Sequence, residues 1–246
     1  MNIVKYKQNI DIAKKIIEKE IEKSDNVGWK GHLLTKFFEF KTIAKFFCGD
    51  NVLELGSAEH HLTTKIFSQW SSRLTVVDIK DTFENEKFEN TEIIIKDWFD
   101  FETEEKFSDI VFIHGLEHID KGVKLLSKLK NFLDENGRIH IIVPNALSLH
   151  RIIGSEMGFL ESPHSFTEMD KISDHKKVYD VFTLKKDLKL AGLYAFHMEG
   201  IQLKPMTDGV IYKHFPREYV KALHSLNYLF NEYCSELYIL ALKEEL

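Results

Sequence analysis

Apolar positions in this chain recur with two periods, and each change of period marks an element. Residues 9–23 put Ile10, Ala13, Ile16, Ile17 and Ile21 on one face at helical spacing, with a Lys/Glu face opposite. A turn over 25–32 and a second, phenylalanine-rich helix over 32–48 follow. From Asn51 onward, short apolar runs of strand length alternate with helical stretches. Strands are expected near 52–55, 74–77, 92–95, 109–113 and 138–143, and helices near 60–70 and 121–133. Asp134 to Gly137 reads as a helix stop ahead of the fifth strand. After Pro144 the periodicity dissolves until near residue 180, and a stretch of that length is usually a functional loop. A helix over 183–191 ending at Gly192, a strand over 194–201, a helix over 216–230 and a strand over 235–243 complete the pattern. Strands alternating with helices predict an α/β fold around a parallel sheet.

Composition narrows the function classes. The 246 residues suffice for one large α/β domain, and 43% hydrophobic with 29% charged residues is ordinary globular usage. A formal charge of −6 supplies no basic footprint, so no nucleic-acid partner is expected. Cys48 and Cys234 lie far apart in apolar settings, without metal or redox spacing, and read as inert core thiols. No charged-then-apolar leader opens the sequence and no apolar run approaches the ~18 residues of a membrane span. The expectation is a cytoplasmic protein with no membrane partner, a monomer or homodimer acting on a small molecule.

The segment Asn51–Thr64 carries the most chemistry. Val52, Leu53 and Leu55 form a buried strand around Glu54, Gly56 breaks it at Ser57, and a helix restarts beyond. That is the form of a first strand-to-helix turn in an open parallel sheet, where a ligand lies across strand ends. Small residues then alternate only partly: Ala58 permits close backbone approach, whereas His60 does not. A pyrophosphate wants bare amides, so a dinucleotide fits poorly. Asp78, at the end of the second apolar run and followed by Ile79, stands about 20 positions on, where a carboxylate accepts from ribose hydroxyls. The third run delivers Asp97 and Trp98, and the fourth delivers His114, Glu117 and His118 to the same edge.

Taken together, Asn51 to Leu242 resembles the class I S-adenosylmethionine-dependent methyltransferases. The resemblance implies a Rossmann-like seven-stranded, mostly parallel sheet with helices on both faces and an antiparallel last strand. An N-terminal helical cap over 1–48 would precede a domain over 49–246 that carries a substrate loop near 145–180. It implies S-adenosyl-L-methionine as cofactor, held by Glu54, Gly56, Ser57, Asp78, Ile79, Asp97, Trp98 and His114. Whether the cap closes over the cofactor or packs on the sheet stays open.

His114 to His118 also matches the HxxEH pattern of zinc peptidases, but that chemistry needs both histidines on one helical face, and here the segment follows a strand and contains Gly115. No metal site is expected. Methyl transfer expels a neutral thioether, so the enzyme's task is to position an acceptor and, for a hydroxyl, to remove its proton. A histidine suits that task, and His118, ahead of His114, is the expected base. The segments around Val143–Arg151, Asp174–Tyr179 and Gly200–Pro205 resemble bacterial small-molecule methyltransferases, including those of surface-polysaccharide (capsular phosphoramidate) biosynthesis. Asn145, His150, Arg151, His175 and Lys204 would then line a substrate cavity for an anionic or phosphorylated metabolite. O-methylation is expected. N-methylation of an amine or amino sugar, or an inactive cofactor-binding relative, are the alternatives.

Overall fold

The computed structural model describes residues 2–57, 61–83 and 86–244, the side chain of Val27 excepted. Its strands are β1 (Asn51–Leu55), β2 (Arg73–Asp78), β3 (Thr91–Ile95), β4 (Phe107–Ile113), β5 (Leu133–Pro144), β6 (Leu193–Ile201) and β7 (Glu236–Lys243). They form one sheet in the order β3-β2-β1-β4-β5-β7-β6. Pairing is parallel from β3 through β5, and β7 runs antiparallel to both β5 and β6. The chain winds outward through β2 and β3, then returns to lay β4 on the other side of β1. That reversal opens a crevice outside the carboxyl ends of β1 and β4, the general ligand position in open α/β sheets.

Strand periodicity divides the core between two faces. Leu53 and Leu55 of β1 join Ile110 and Phe112 of β4, Ile139 and Ile141 of β5, and the helices α4 (Gly122–Phe132) and α7 (Val181–Leu190). Val52, Val111, Ile142 and Tyr238 point to the opposite face. There they meet α1 (Ile3–Glu22), α2 (Val27–Ile43) and α3 (Leu62–Trp70) through Ala13, Ile17, Leu33, Phe40, Ile66 and Phe67. Thus α1 and α2 share the core of this face. No helix among the described residues is long and apolar enough to cross a membrane. Both cysteines are free, and burial pushes their thiols up, Cys234 to about 12.

Element boundaries moved where caps outweigh apolar periodicity. α1 begins at Ile3 because the Asn2 side chain accepts from the Val4 and Lys5 amides. α2 begins at Val27 behind Asn26, whose side chain accepts from Trp29 N–H, and ends at Ile43 rather than near Cys48. The 134–137 segment is an irregularity at the start of β5, since Leu133 already pairs with Phe107. Between 145 and 180 the chain forms α5 (Leu149–Glu156) and α6 (Glu168–Ile172), and a bridge between Asn145 and Tyr179 closes the base of the excursion. The segment after β6 holds α8 (Asp208–His214), which periodicity did not reveal, and α9 (Arg217–Ser225), shorter than expected.

Candidate active site

The β1 turn is built around one carboxylate. Gly56 has φ +74, and a Cβ there would lie 3.2 Å from the Trp98 ring, so the turn requires glycine. Asp78 Oδ2 accepts from both the amide and the hydroxyl of Ser57, at 2.9 and 3.0 Å, while its Oδ1 accepts from Lys80 N–H at 3.0 Å. The acid at the end of β2 therefore ties two strand-end loops together. Ile79 beside it is exposed. Trp98 donates its indole N–H to the Val77 carbonyl at 3.0 Å and sits edge-on to Phe112, so it is half core residue and half site wall. Asp97 is exposed; one oxygen accepts from Phe99 N–H at 2.8 Å, and the other has no hydrogen bond among the described residues. Ala58 and His60 lie outside the described residues.

His61 escaped the sequence reading. It adopts φ +50 ahead of α3, stacks on Phe83 at 4.0 Å and donates from Nε2 to the Thr82 carbonyl at 2.8 Å, with Nδ1 3.3 Å from Ser57 Oγ. It props the β1 turn from behind. No periodicity signals a left-handed histidine.

Glu54, one residue before the end of β1, is almost fully buried, with Oε2 accepting from Thr64 at 2.7 Å and Oε1 without a partner among the described residues. Burial raises its carboxyl to about 7 against the pull of Thr63 and Thr64. The folded state thus holds this proton more tightly than the unfolded chain does. The linked stability is complete below the unfolded value of 4.5 and is lost as pH rises through about 7. Glu54→Gln in the ligand-free protein is expected to raise stability by about 3 kcal/mol at pH ~8 and by little at pH ~4.5. Thermal melts at the two pH values check this; equal effects at both would contradict it.

At the end of β4, His114 adopts φ +50 and directs its ring at three carboxylates. Nε2 lies 3.3 Å from Glu39 and 3.8 Å from Glu236, and Nδ1 lies 3.6 Å from Glu117. Lys36 Nζ holds both Glu39 oxygens at 2.9 and 3.0 Å. Burial and Lys36 alone would depress His114, but Glu39 and the Glu117 contact carry it up to about 10. Against the cost of burial, Lys36 and His114 hold Glu39 down to about 2, whereas burial and the Glu39 charge push Glu236 up to about 7. His114 is therefore an imidazolium at neutral pH, a donor and not a base. Because Glu39 belongs to α2, that helix also walls the site.

His118 closes a short 3-10 turn, Leu116–His118, and meets His175 edge-on with ring centroids 4.8 Å apart. Its ring nitrogens make no hydrogen bond among the described residues. The remaining expected substrate residues divide. Asn145 is buried and spends its amide on the Glu232 and Cys234 carbonyls and its oxygen on Leu147 N–H. Arg151 is buried and spends its guanidinium on the Pro163 and Ser165 carbonyls and on Asp170. Asn145 ties the start of the 145–180 excursion to the segment before β7, Arg151 holds the excursion together, and neither is free to clamp an anion. His150, lowered to about 4 by burial and by Lys204 and Arg151, is neutral, and Lys204 pairs with Asp208 at 2.8 Å.

The strand order, the acid-held glycine turn and the edge at β4 coincide with a match of residues 28–197 to a family described as a methyltransferase domain. The chain belongs to the methyltransferase domain family. Solved methyltransferases share its fold. An S-adenosylmethionine-dependent methyltransferase from Mesorhizobium loti superposes with a TM-score of 0.58 at 12% identity, covering 82% of this chain and 96% of that one. One from Archaeoglobus fulgidus gives 0.55 at 17% identity, covering 87% and 94%. DhpI in complex with SAM and HEP gives 0.50 at 15% identity, covering 81% and 82%. No curated protein matches the chain. The family is that of a methyltransferase domain, and its fold is shared with solved S-adenosylmethionine-dependent methyltransferases.

Proposed function

We propose that this methyltransferase moves the methyl group of S-adenosylmethionine to an oxygen of a small, polar, anionic metabolite. In this reading Glu54, Gly56, Ser57, Asp78 and Ile79 take the ribose side of the cofactor. Asp97 and Trp98 take the adenine, His114 borders the sulfonium end, and the acceptor lies between His118, His150, His175 and Lys204. The carrying observation is the pairing, across the β1/β4 reversal, of a glycine turn tied to Asp78 with a β4 edge that presents His118. Lys36 and Lys204 are each paired with a carboxylate, Glu39 and Asp208, so the preference for an anion rests on the sequence resemblance. His118, rather than His114, then acts on the proton of the acceptor hydroxyl.

A second reading, methylation of an amine, draws on the three carboxylates Glu39, Glu117 and Glu236 that converge on His114 and would hold an ammonium. Methyl-donor turnover with the full chain against separate pools of phosphorylated or carboxylated alcohols and of amines tests both. Phosphorylated precursors of surface polysaccharides belong in the first pool. Turnover in that pool alone is the expected result. Turnover with amines alone selects the second reading, and tight cofactor binding without turnover in any pool counts against both.

A further inference from the structure

Two clusters at the end of β4 bring three metal-ligating side chains together: Glu39, His114 and Glu236, and Glu117, His118 and His175. The first already contains cationic groups of the protein, since Lys36 Nζ bridges both Glu39 oxygens at 2.9 and 3.0 Å and His114 Nε2 stands between Glu39 and Glu236. In the second, one ligand atom from each residue lies within 4.8 Å of the others; His114 Nδ1 stands 3.6 Å from Glu117 Oε1 and leaves the other oxygen, Oε2, unpaired among the described residues.

Three features mark the second cluster as a built site. Glu117 is 2% exposed, yet its Oε2 has no hydrogen-bond partner among the described residues. A buried carboxylate oxygen left in that state costs free energy unless something positive completes it. His175 is oriented by a carboxylate: its Nδ1 donates to Asp170 Oδ1 at 2.9 Å, which leaves Nε2 as the nitrogen available to a ligand. Asp170 is itself fixed by Arg151 and by the amide and hydroxyl of Thr167, at 3.0, 2.7 and 2.7 Å. Carboxylate-oriented histidines of this kind characterise metal ligands. Finally, the segments that carry the ligands are locked to each other, since the Glu117 carbonyl accepts from the amides of Lys176 and Lys177 at 2.8 and 3.1 Å. The excursion over 145–180 thus has a structural purpose, which is to return His175 to the end of β4.

We propose that Glu117, His118 and His175 bind a divalent first-row transition-metal ion, with open positions toward the acceptor. Two imidazoles and one carboxylate make a donor set suited to Zn2+, Mn2+, Fe2+ or Co2+ and leave coordination positions for a substrate oxygen. The role of the ion in methyl transfer rests on the function proposed above; its binding does not. An acceptor hydroxyl placed on the ion releases its proton to water more readily. The oxygen lone pair then forms the new O–CH3 bond, and the S–CH3 electron pair stays on sulfur as the neutral thioether. His118 in this arrangement gives its lone pair to the ion and assists proton loss through it.

The test uses the full-length protein, stripped with EDTA and titrated with Co2+ alone, without methyl donor, while the visible d–d absorption and the bound metal per chain are recorded. One ion per chain is expected. Glu117→Gln, His118→Gln and His175→Gln should each weaken binding at least about 100-fold, and Asp170→Asn, which does not touch the ion, about 10–100-fold. His214→Gln, at an exposed histidine of α8, should leave binding unchanged. In the wild-type protein, adding Zn2+ should shift the imidazole nitrogen resonances of His118 and His175 and not those of His61 or His140, a readout that needs no variant to fold. Absence of a stoichiometric ion, or binding that survives His175→Gln and Glu117→Gln, overturns the site. Turnover that persists after metal removal would overturn the ion's role in methyl transfer while leaving the methyltransferase reading intact, and a bound ion without any turnover would overturn that reading and leave the site.

Discussion

Replacing His118 with alanine is expected to lower turnover about 10²–10⁴-fold while leaving S-adenosylmethionine affinity nearly unchanged. The ring is half-buried and makes no hydrogen bond among the described residues, so its removal leaves no buried group unpaired and the fold should persist. The contrast with His114 is the informative part. His114→Ala takes the positive charge away from Glu39, Glu117 and Glu236, and stranding buried charge in this way costs about 3–5 kcal/mol at neutral pH. The His114 value is raised in the folded protein, so the linked stability is present below its ordinary 6.5 and lost as pH climbs through about 10. One histidine should therefore act on rate and its neighbour on stability, which turnover and thermal melts of the two variants separate. Full activity in His118→Ala would move the proton-removing role to neutral His150 or to His175. Normal turnover in all three alanine variants would leave proximity to an already nucleophilic oxyanion as the mechanism.

The sheet was legible because its strands are nearly continuous apolar runs, as strands buried on both faces must be. LTVVD at Leu74–Asp78 and DIVFI at Asp109–Ile113 are such runs; the first ends in Asp78 and the second leads directly into His114. What stayed hidden was how polar side chains pair over long separations. The resemblance places Asn145 and Arg151 among substrate ligands, yet Asn145 satisfies the Glu232 and Cys234 carbonyls and Arg151 those of Pro163 and Ser165, pairings that periodicity does not encode. Glu39 sits in a helix with almost no amphipathic contrast, since its neighbours are phenylalanines, and only the approach of α2 to β4 reveals its bond to His114. The Glu117, His118 and His175 cluster was concealed for the same reason. Its sequence pattern fails the helical geometry of a zinc peptidase, while its third ligand returns through a loop rather than a helix.

Asp78→Ala is expected to cost about 2–4 kcal/mol of cofactor affinity, a rise in Kd of about 30- to 1,000-fold, because charge-assisted hydrogen bonds to ribose hydroxyls are among the stronger polar contacts. The carboxylate also holds Ser57 N–H, the Ser57 hydroxyl and Lys80 N–H, so its loss loosens the Gly56 turn as well as removing an acceptor. The two contributions separate with a ligand that lacks the hydroxyls. Wild-type protein should bind S-adenosylhomocysteine more tightly than its 2′,3′-dideoxy analogue, whereas Asp78→Ala should bind both with similar, weak affinity. If the variant instead keeps the wild-type preference while losing affinity for both ligands, Asp78 acts only by shaping the turn, and another group holds the ribose. Ser57→Ala calibrates the turn: it deletes the hydroxyl bond at 3.0 Å but keeps the amide bond at 2.9 Å. Its effect should stay near 1 kcal/mol or below, the usual net worth of one neutral hydrogen bond. Unchanged affinity in a folded Asp78→Ala protein would remove the placement of the cofactor across β1 and β2, because Asp78 is the acid that ends β2.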